Sequence, residues 1–271
     1  MSTQTANAYG YKLYSARYGN IYLVRQLLQI LQETFEDATF ANPVWEKGGR
    51  YFDAFRPSVE PLGLSSEDEV LLHRKLHLNA VRRMISQADL LVFTMGLTEG
   101  WIHQASGTVY PTAPGTIAGV YDSSQYEFKN YTHSEIMQDF DVILKMLRSI
   151  RPNLKILLTV SPVPLTATAS GDHVLPATVY SKSVLRSVAG ELSQKHDFID
   201  YFPSYEMIAS HFSRGMFYAP NLRSVEECGV ESVMRVFFDE HKIEGQVKPV
   251  NSVATDDVVC EEELLNAFGK A

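Results

Sequence analysis

The sequence predicts an α/β fold, three layers with helices on both sides of a short parallel sheet. Two observations carry that expectation. Three short runs rich in β-branched and aromatic residues, Leu90–Met95, Ile156–Val160 and Phe198–Phe202, are apolar on both faces. Strands covered by helices on both sides read this way, whereas a half-exposed strand alternates apolar with polar. Between the runs lie apolar stripes at helical spacing, which is the βαβ rhythm.

Taken in order, an early helix is expected from about Ile21 to Glu33, with Leu23, Leu27, Leu28 and Leu31 as its core face. Ser66–Glu69 has the form of a capping box ahead of Leu72, Leu76 and Met84. Thr132–Glu135 repeats it ahead of Ile136, Phe140, Ile143, Leu147 and Ile150. Two further stripes, Val184, Leu185, Val188 and Leu192, then Val230, Val233, Met234 and Phe237, complete the helical set. The stretch His103–Tyr121 holds Gly107, Pro111, Pro114, Gly115 and Gly119 and reads as a long loop with one hairpin. One domain is expected over residues 1–243, with 244–271 a polar tail carrying a short helix at Glu261–Phe268. Three strands are few for a parallel sheet, which usually has about five or six. The expectation is that a first strand is lacking at the N-terminus, leaving an exposed apolar groove beside the strand that ends at Met95.

Composition limits the function classes. The chain has 271 residues, 45% hydrophobic and 21% charged, within the globular range. A net charge of −8 and no stripe of lysine and arginine argue against a nucleic-acid partner. Residues Met1–Gly10 lack the basic region and apolar core of a secretory signal, and no run is long enough for a membrane span. Cys228 and Cys260 are far apart and in no metal-ligand spacing, so a reducing, cytoplasmic setting and no metal are expected. Cys228 falls in an apolar stripe and reads as buried and inert.

In open α/β sheets, ligands bind beyond the carboxyl ends of the strands. The residues there are Gly96-Leu97-Thr98-Glu99-Gly100-Trp101, Ser161-Pro162-Val163-Pro164 and Pro203-Ser204-Tyr205-Glu206. Small, hydroxyl and acidic groups at three tips point to a site, although each tip alone also suits an ordinary turn. Trp101, Tyr201 and Tyr205 would suit stacking on a sugar, although aromatic residues near strand ends are usually core. His73 and His77, four apart on a helix, could share a face as metal ligands; Arg74 and Lys75 between them favour plain helix-surface residues. No Gly-x-Gly-x-x-Gly turn accompanies Tyr180 and Lys182, and no cofactor is expected.

Five strings carry a resemblance: Ser15–Tyr22, Phe93–Glu99, Ser161–Pro164, Tyr180–Ser183 and Tyr201–Glu206. In this order they resemble the GSCFA family, a relative of the SGNH or GDSL-like hydrolases. The resemblance implies a flavodoxin-like fold and action on acyl esters, often of acetylated glycans, with a small-molecule or glycan ester as partner. It implies Gly19 as an oxyanion-hole amide with Asn20 beside it. Gly96–Glu99 falls where the family pattern has Gly-x-Asn-Asp, so Thr98 stands in the asparagine's place and its hydroxyl offers one donor. The motif that names the family occurs nowhere in the sequence, and Asn221-Leu222-Arg223-Ser224 stands where relatives carry Asp-x-x-His.

Among the remaining candidates His173, beside Asp172, is the substitute base, against a solvated loop histidine. Ser161 is a stand-in nucleophile, against a turn serine before proline. Glu99, the third catalytic candidate, is expected to be buried and paired with an arginine such as Arg17 or Arg56; Tyr180, Lys182 and Tyr205 are expected to meet substrate, and Lys182 and Arg186 either meet an anionic or sugar ligand or simply cap a helix face. The expected function is a serine-type acyl esterase or acyltransferase domain without its nucleophile segment, nearly inactive on esters. The rival is a non-catalytic glycan- or partner-binding module on the same fold.

Overall fold

The computed structural model describes residues 15–241. The tail's expected helix and the expected missing strand concern segments outside these residues. Helix α1 spans Val24–Phe35, followed by strands β1 (Val44–Lys47) and β2 (Arg50–Asp53) and helix α2 (Glu67–Gln87). Next come strands β3 (Leu90–Met95), β4 (Glu99–His103), β5 (Val109–Tyr110) and β6 (Tyr126–Asn130). Helix α3 (His133–Ile150), strand β7 (Lys155–Val160), helix α4 (Val174–Lys195) and strand β8 (Ile199–Tyr201) follow, then α5 (Ser204–Ala209) and α6 (Glu227–Glu240).

The parallel sheet has the order β3-β7-β8, with Leu90 beside Lys155 and Ile156 beside Ile199. Helices flank it, giving the three-layer α/β/α fold. One core joins Leu27 and Leu31 of α1, Met95 of β3, Phe140 and Leu147 of α3, Leu158 of β7, and Leu185 of α4. Strand β3 is an edge among the described residues, and Leu90 and Val92 on it are 46% and 50% exposed.

The capping signals place the helix starts. Thr132 and Glu135 form the full reciprocal box at α3. At α2 the Ser66 hydroxyl accepts from the Glu69 amide, while the Glu69 carboxylate reaches back to the Ser65 amide. Helix α1 is capped at Leu23, where the Gln26 side chain accepts from the amides of Tyr22 and Leu23.

Four expectations are corrected: the loop after His103, the inward face of α2, the exposure of His77 and the burial of Cys228. The segment after His103 is part of a three-stranded antiparallel sheet of order β5-β4-β6, and β1 and β2 form a hairpin that the sequence reading missed. That hairpin turns through Gly48 and Gly49, with φ +60° and +75°, the left-handed conformation that a two-residue turn demands and glycine supplies. A second core forms from these antiparallel pieces: Trp45 and Phe52 of the hairpin meet Tyr110 and Tyr126, and Trp45 stacks on Tyr110 at 5.3 Å. The buried Gln29 ties α1 to β5, its side chain donating to Val109 O at 3.1 Å and accepting from Val109 N at 2.9 Å; Val109 packs in the first core and Tyr110, next to it, in the second.

Helix α2 is rotated from its expected face. Leu72 and Leu76 are more than half exposed, and the helix turns Val70, Arg74, His77, Val81 and Ile85 inward. Arg74 is tolerated inside because Glu33 and Asp53 both accept from its guanidinium. His77 is therefore a buried residue, not a surface one. Cys228 is exposed, not buried: it lies at the start of α6, a helix that leaves Val230 and Met234 partly open to solvent.

Candidate functional site

The Gly96–Glu99 turn, at the carboxyl end of β3, is held from three directions. The amides of Gly96 and Leu97 both donate to Tyr22 O at 3.0 Å. A Cβ on Gly96 would sit 3.1 Å from that same oxygen, so the close approach leaves little room for a side chain. The Thr98 amide donates to Ser181 Oγ at 3.0 Å, and Lys182 Nζ donates to Gly96 O at 2.7 Å. Three of the turn's four amides, those of Gly96, Leu97 and Thr98, are thus occupied. Thr98 is fully buried and its hydroxyl oxygen has no partner among the described residues.

Lys182 is 1% exposed, and its one hydrogen bond among the described residues is to a neutral carbonyl. Burial pushes its ammonium down to about 7, and the positive charge of Arg223 acts in the same direction.

Beyond the turn, β4 and β6 form one wall of a pocket of about 400 Å³, and the segment Leu165–Ala169 another. Leu97, Trp101, Phe128 and Leu165 line it, with Glu99 and Thr168 as polar members. Trp101 meets Phe128 edge-on at 6.0 Å. Glu99 is 8% exposed and accepts from the Thr168 hydroxyl at 2.9 Å. Burial raises its pKa, the Thr168 hydrogen bond offsets part of this, and the charge of Asp172 adds to the rise. The expected arginine partners lie elsewhere: Arg17 pairs with Glu60, and Arg56 with Asp53. A neutral hydroxyl in the loop after β7, which no sequence signal marked, partners Glu99 instead.

The other candidates are spread around this turn. Ser161 N extends the parallel ladder by donating to Met95 O at 2.9 Å, and its hydroxyl accepts from Val163 N at 3.3 Å, closing the turn after β7. His173 is exposed and caps α4, Nδ1 accepting from Leu175 N at 3.2 Å. Tyr180 is 44% exposed on α4. Tyr205 is half-buried on α5 and lines an open groove with Arg186 and Gln194. Gly19, with φ +68°, packs against Val59 and Arg56, and Asn20 O accepts from Gln26 Nε2 at 3.2 Å. The structure therefore gathers Gly96, Thr98 and Lys182 at one turn, with Glu99 opening from it into the pocket. Ser181 belongs to the same cluster and lies inside a string already singled out, but its hydroxyl role was not.

A parallel-sheet α/β domain with a lined pocket past its strand ends is the class these features define. The chain matches the GSCFA family model over residues 2–237 and belongs to that family. No curated protein is significantly similar to it.

Proposed function

We propose that this chain is the ligand-holding body of an acyl esterase or acyltransferase, taking an acylated carbohydrate into the Glu99 pocket. The observation that carries this reading is the pairing of one buried carboxyl with the Trp101 and Phe128 rings in a pocket of about 400 Å³. Aromatic faces take the apolar side of a sugar ring, and a carboxyl accepts from its hydroxyls; pockets of a few hundred Å³ suit such ligands. GSCFA membership adds the expectation of acyl esters.

The non-catalytic rival is favoured by particular contacts. His173 spends Nδ1 on a helix cap, Ser161 spends its hydroxyl on a turn, and no hydrogen bond joins the two among the described residues. The amides that would steady an oxyanion at the Gly96 turn are taken by Tyr22 and Ser181.

Titration with an acetylated xylo-oligosaccharide, read by tryptophan fluorescence, tests binding. Saturable quenching is expected, about tenfold weaker in Glu99→Gln and absent in Trp101→Ala. Unchanged fluorescence, or equal affinity in Glu99→Gln, would overturn the pocket. Hydrolysis of p-nitrophenyl acetate separates the two readings. Turnover at background supports a holding role for this chain, whereas turnover lost in both Ser161→Ala and His173→Ala would make the chain an esterase in its own right.

A further inference from the structure

A second cavity, of about 270 Å³, lies between the Ala16–Gly19 segment, the turn after β2 and one side of α2, and among the described residues shares no lining residue with the Glu99 pocket. Its wall is apolar at Val59, Leu64 and Leu76, basic at Arg17, Arg56 and His77, and acidic at Asp53 and Glu60, each carboxylate paired with one of the two arginines. Arg56 is 7% exposed, with Nε donating to Asp53 Oδ2 at 2.8 Å and one terminal nitrogen to Arg17 O at 3.1 Å. Behind it Arg74 spans Glu33 and Asp53, so these charges are paired and the interior is rigid.

Two nitrogens in this wall are not spent. Arg17 pairs with Glu60 through a terminal nitrogen, but its buried Nε has no partner among the described residues. His77 is 8% exposed, its ring meets Tyr18 edge-on at 5.4 Å, and its buried Nε2 also has no partner there. Leaving a buried polar group unpaired costs roughly 1–3 kcal/mol, and two of them belong to side chains that line one cavity. At the His77 ring the charges of Arg56, Arg74 and Arg17 outweigh that of Asp53. Burial and then Arg56, Arg74 and Arg17 push the His77 imidazole down to about 3, against the opposing pull of Asp53. A neutral ring keeps one N–H to give, and an anion is what a positive field and free N–H groups accept.

We propose that this cavity binds a small organic anion, its carboxylate or phosphoryl head held by Arg17, Arg56 and His77 and its apolar body against Val59, Leu64 and Leu76. At ~30 Å³ per water, the volume is that of about nine waters, the scale of a substituted aromatic acid rather than an oligosaccharide.

The test is an NMR titration of the full chain, following the His77 imidazole resonances, with benzoate, phenyl phosphate and neutral benzamide as probes. Benzoate or phenyl phosphate should shift His77 saturably at roughly millimolar concentration, and benzamide at least about tenfold more weakly. Whichever anion binds more tightly identifies the head group. Ala80→Trp, at an exposed helix position on the cavity wall, blocks the mouth while leaving the ion pairs intact. It should abolish the shift with an unchanged melting temperature. Arg17→Gln should weaken both anions about tenfold and leave benzamide unaffected. Equal binding of benzamide, no response to either anion, or undiminished shifts in Ala80→Trp would each overturn the proposal.

Discussion

Lys182→Met should cross the parent chain in a plot of stability against pH. The parent ammonium is pushed from an ordinary 10.5 to about 7 by burial first and by Arg223 second. Below pH 7 folded and unfolded chains both carry the proton, and holding it inside costs the fold roughly 5 kcal/mol, at about 1.36 kcal/mol for each tenfold change in proton affinity. Between about 7 and 10.5 the unfolded chain binds more protons, so stability rises with pH, and above 10.5 the cost is gone. Methionine removes the charge but leaves Gly96 O without its donor, a loss of roughly 1–3 kcal/mol at any pH. The variant should therefore be about 2–4 kcal/mol more stable than the parent below pH 7 and about 1–3 kcal/mol less stable above pH 10.5. Urea unfolding of both chains across that interval measures the crossing directly. A variant less stable by the same amount at every pH would refute the reasoning, because the lysine would then be neutral or paired throughout.

Two further substitutions probe the frame around the sites. Asp53→Asn removes the carboxylate shared by Arg56 and Arg74, both under a tenth exposed, and should cost about 3–5 kcal/mol in urea unfolding; a loss below about 1 kcal/mol would mean the network carries little. Burial alone would raise the Asp53 pKa, but the two guanidiniums hold it below the ordinary value. Its contribution is therefore present above the unfolded-state pKa and lost as pH falls through the folded one. Gly100→Ala places a Cβ 2.3 Å from Leu23 Cδ1 and should lower stability by about 1–3 kcal/mol, relieved in part by Leu23→Val in the same chain; an unchanged melting temperature would show that Leu23 moves aside freely.

The parallel strands were legible because Leu90–Met95 and Ile156–Val160 are apolar regardless of face, and α1 because Leu23, Leu27, Leu28 and Leu31 all point one way. The hairpin was legible in principle, since Gly48-Gly49 between Val44–Lys47 and Arg50–Asp53 is a two-residue turn signal. It was passed over because four-residue strands that end in charge show almost no periodicity. The inward face of α2 was hidden for another reason. Its pattern runs through Arg74 and His77, and only the positions of Glu33 and Asp53, distant in the chain, make a buried arginine affordable. The site divided likewise. The Gly96–Glu99 turn and Lys182 came from strand ends and family strings, whereas Thr168 as the partner of Glu99 is set by loop geometry that no local signal encodes.

The Gln29 amide has a consequence for how the molecule opens. By giving and accepting at Val109 it behaves as one extra strand residue carried on a helix, capping the edge that β5 would otherwise present. Pulling β5 away from α1 must break both bonds in a buried setting, where each lost partner leaves an unpaired amide. Strand β5 and α1 are thereby coupled in hydrogen exchange, and protection at Val109 N should report the opening of α1 as faithfully as any amide within the helix itself.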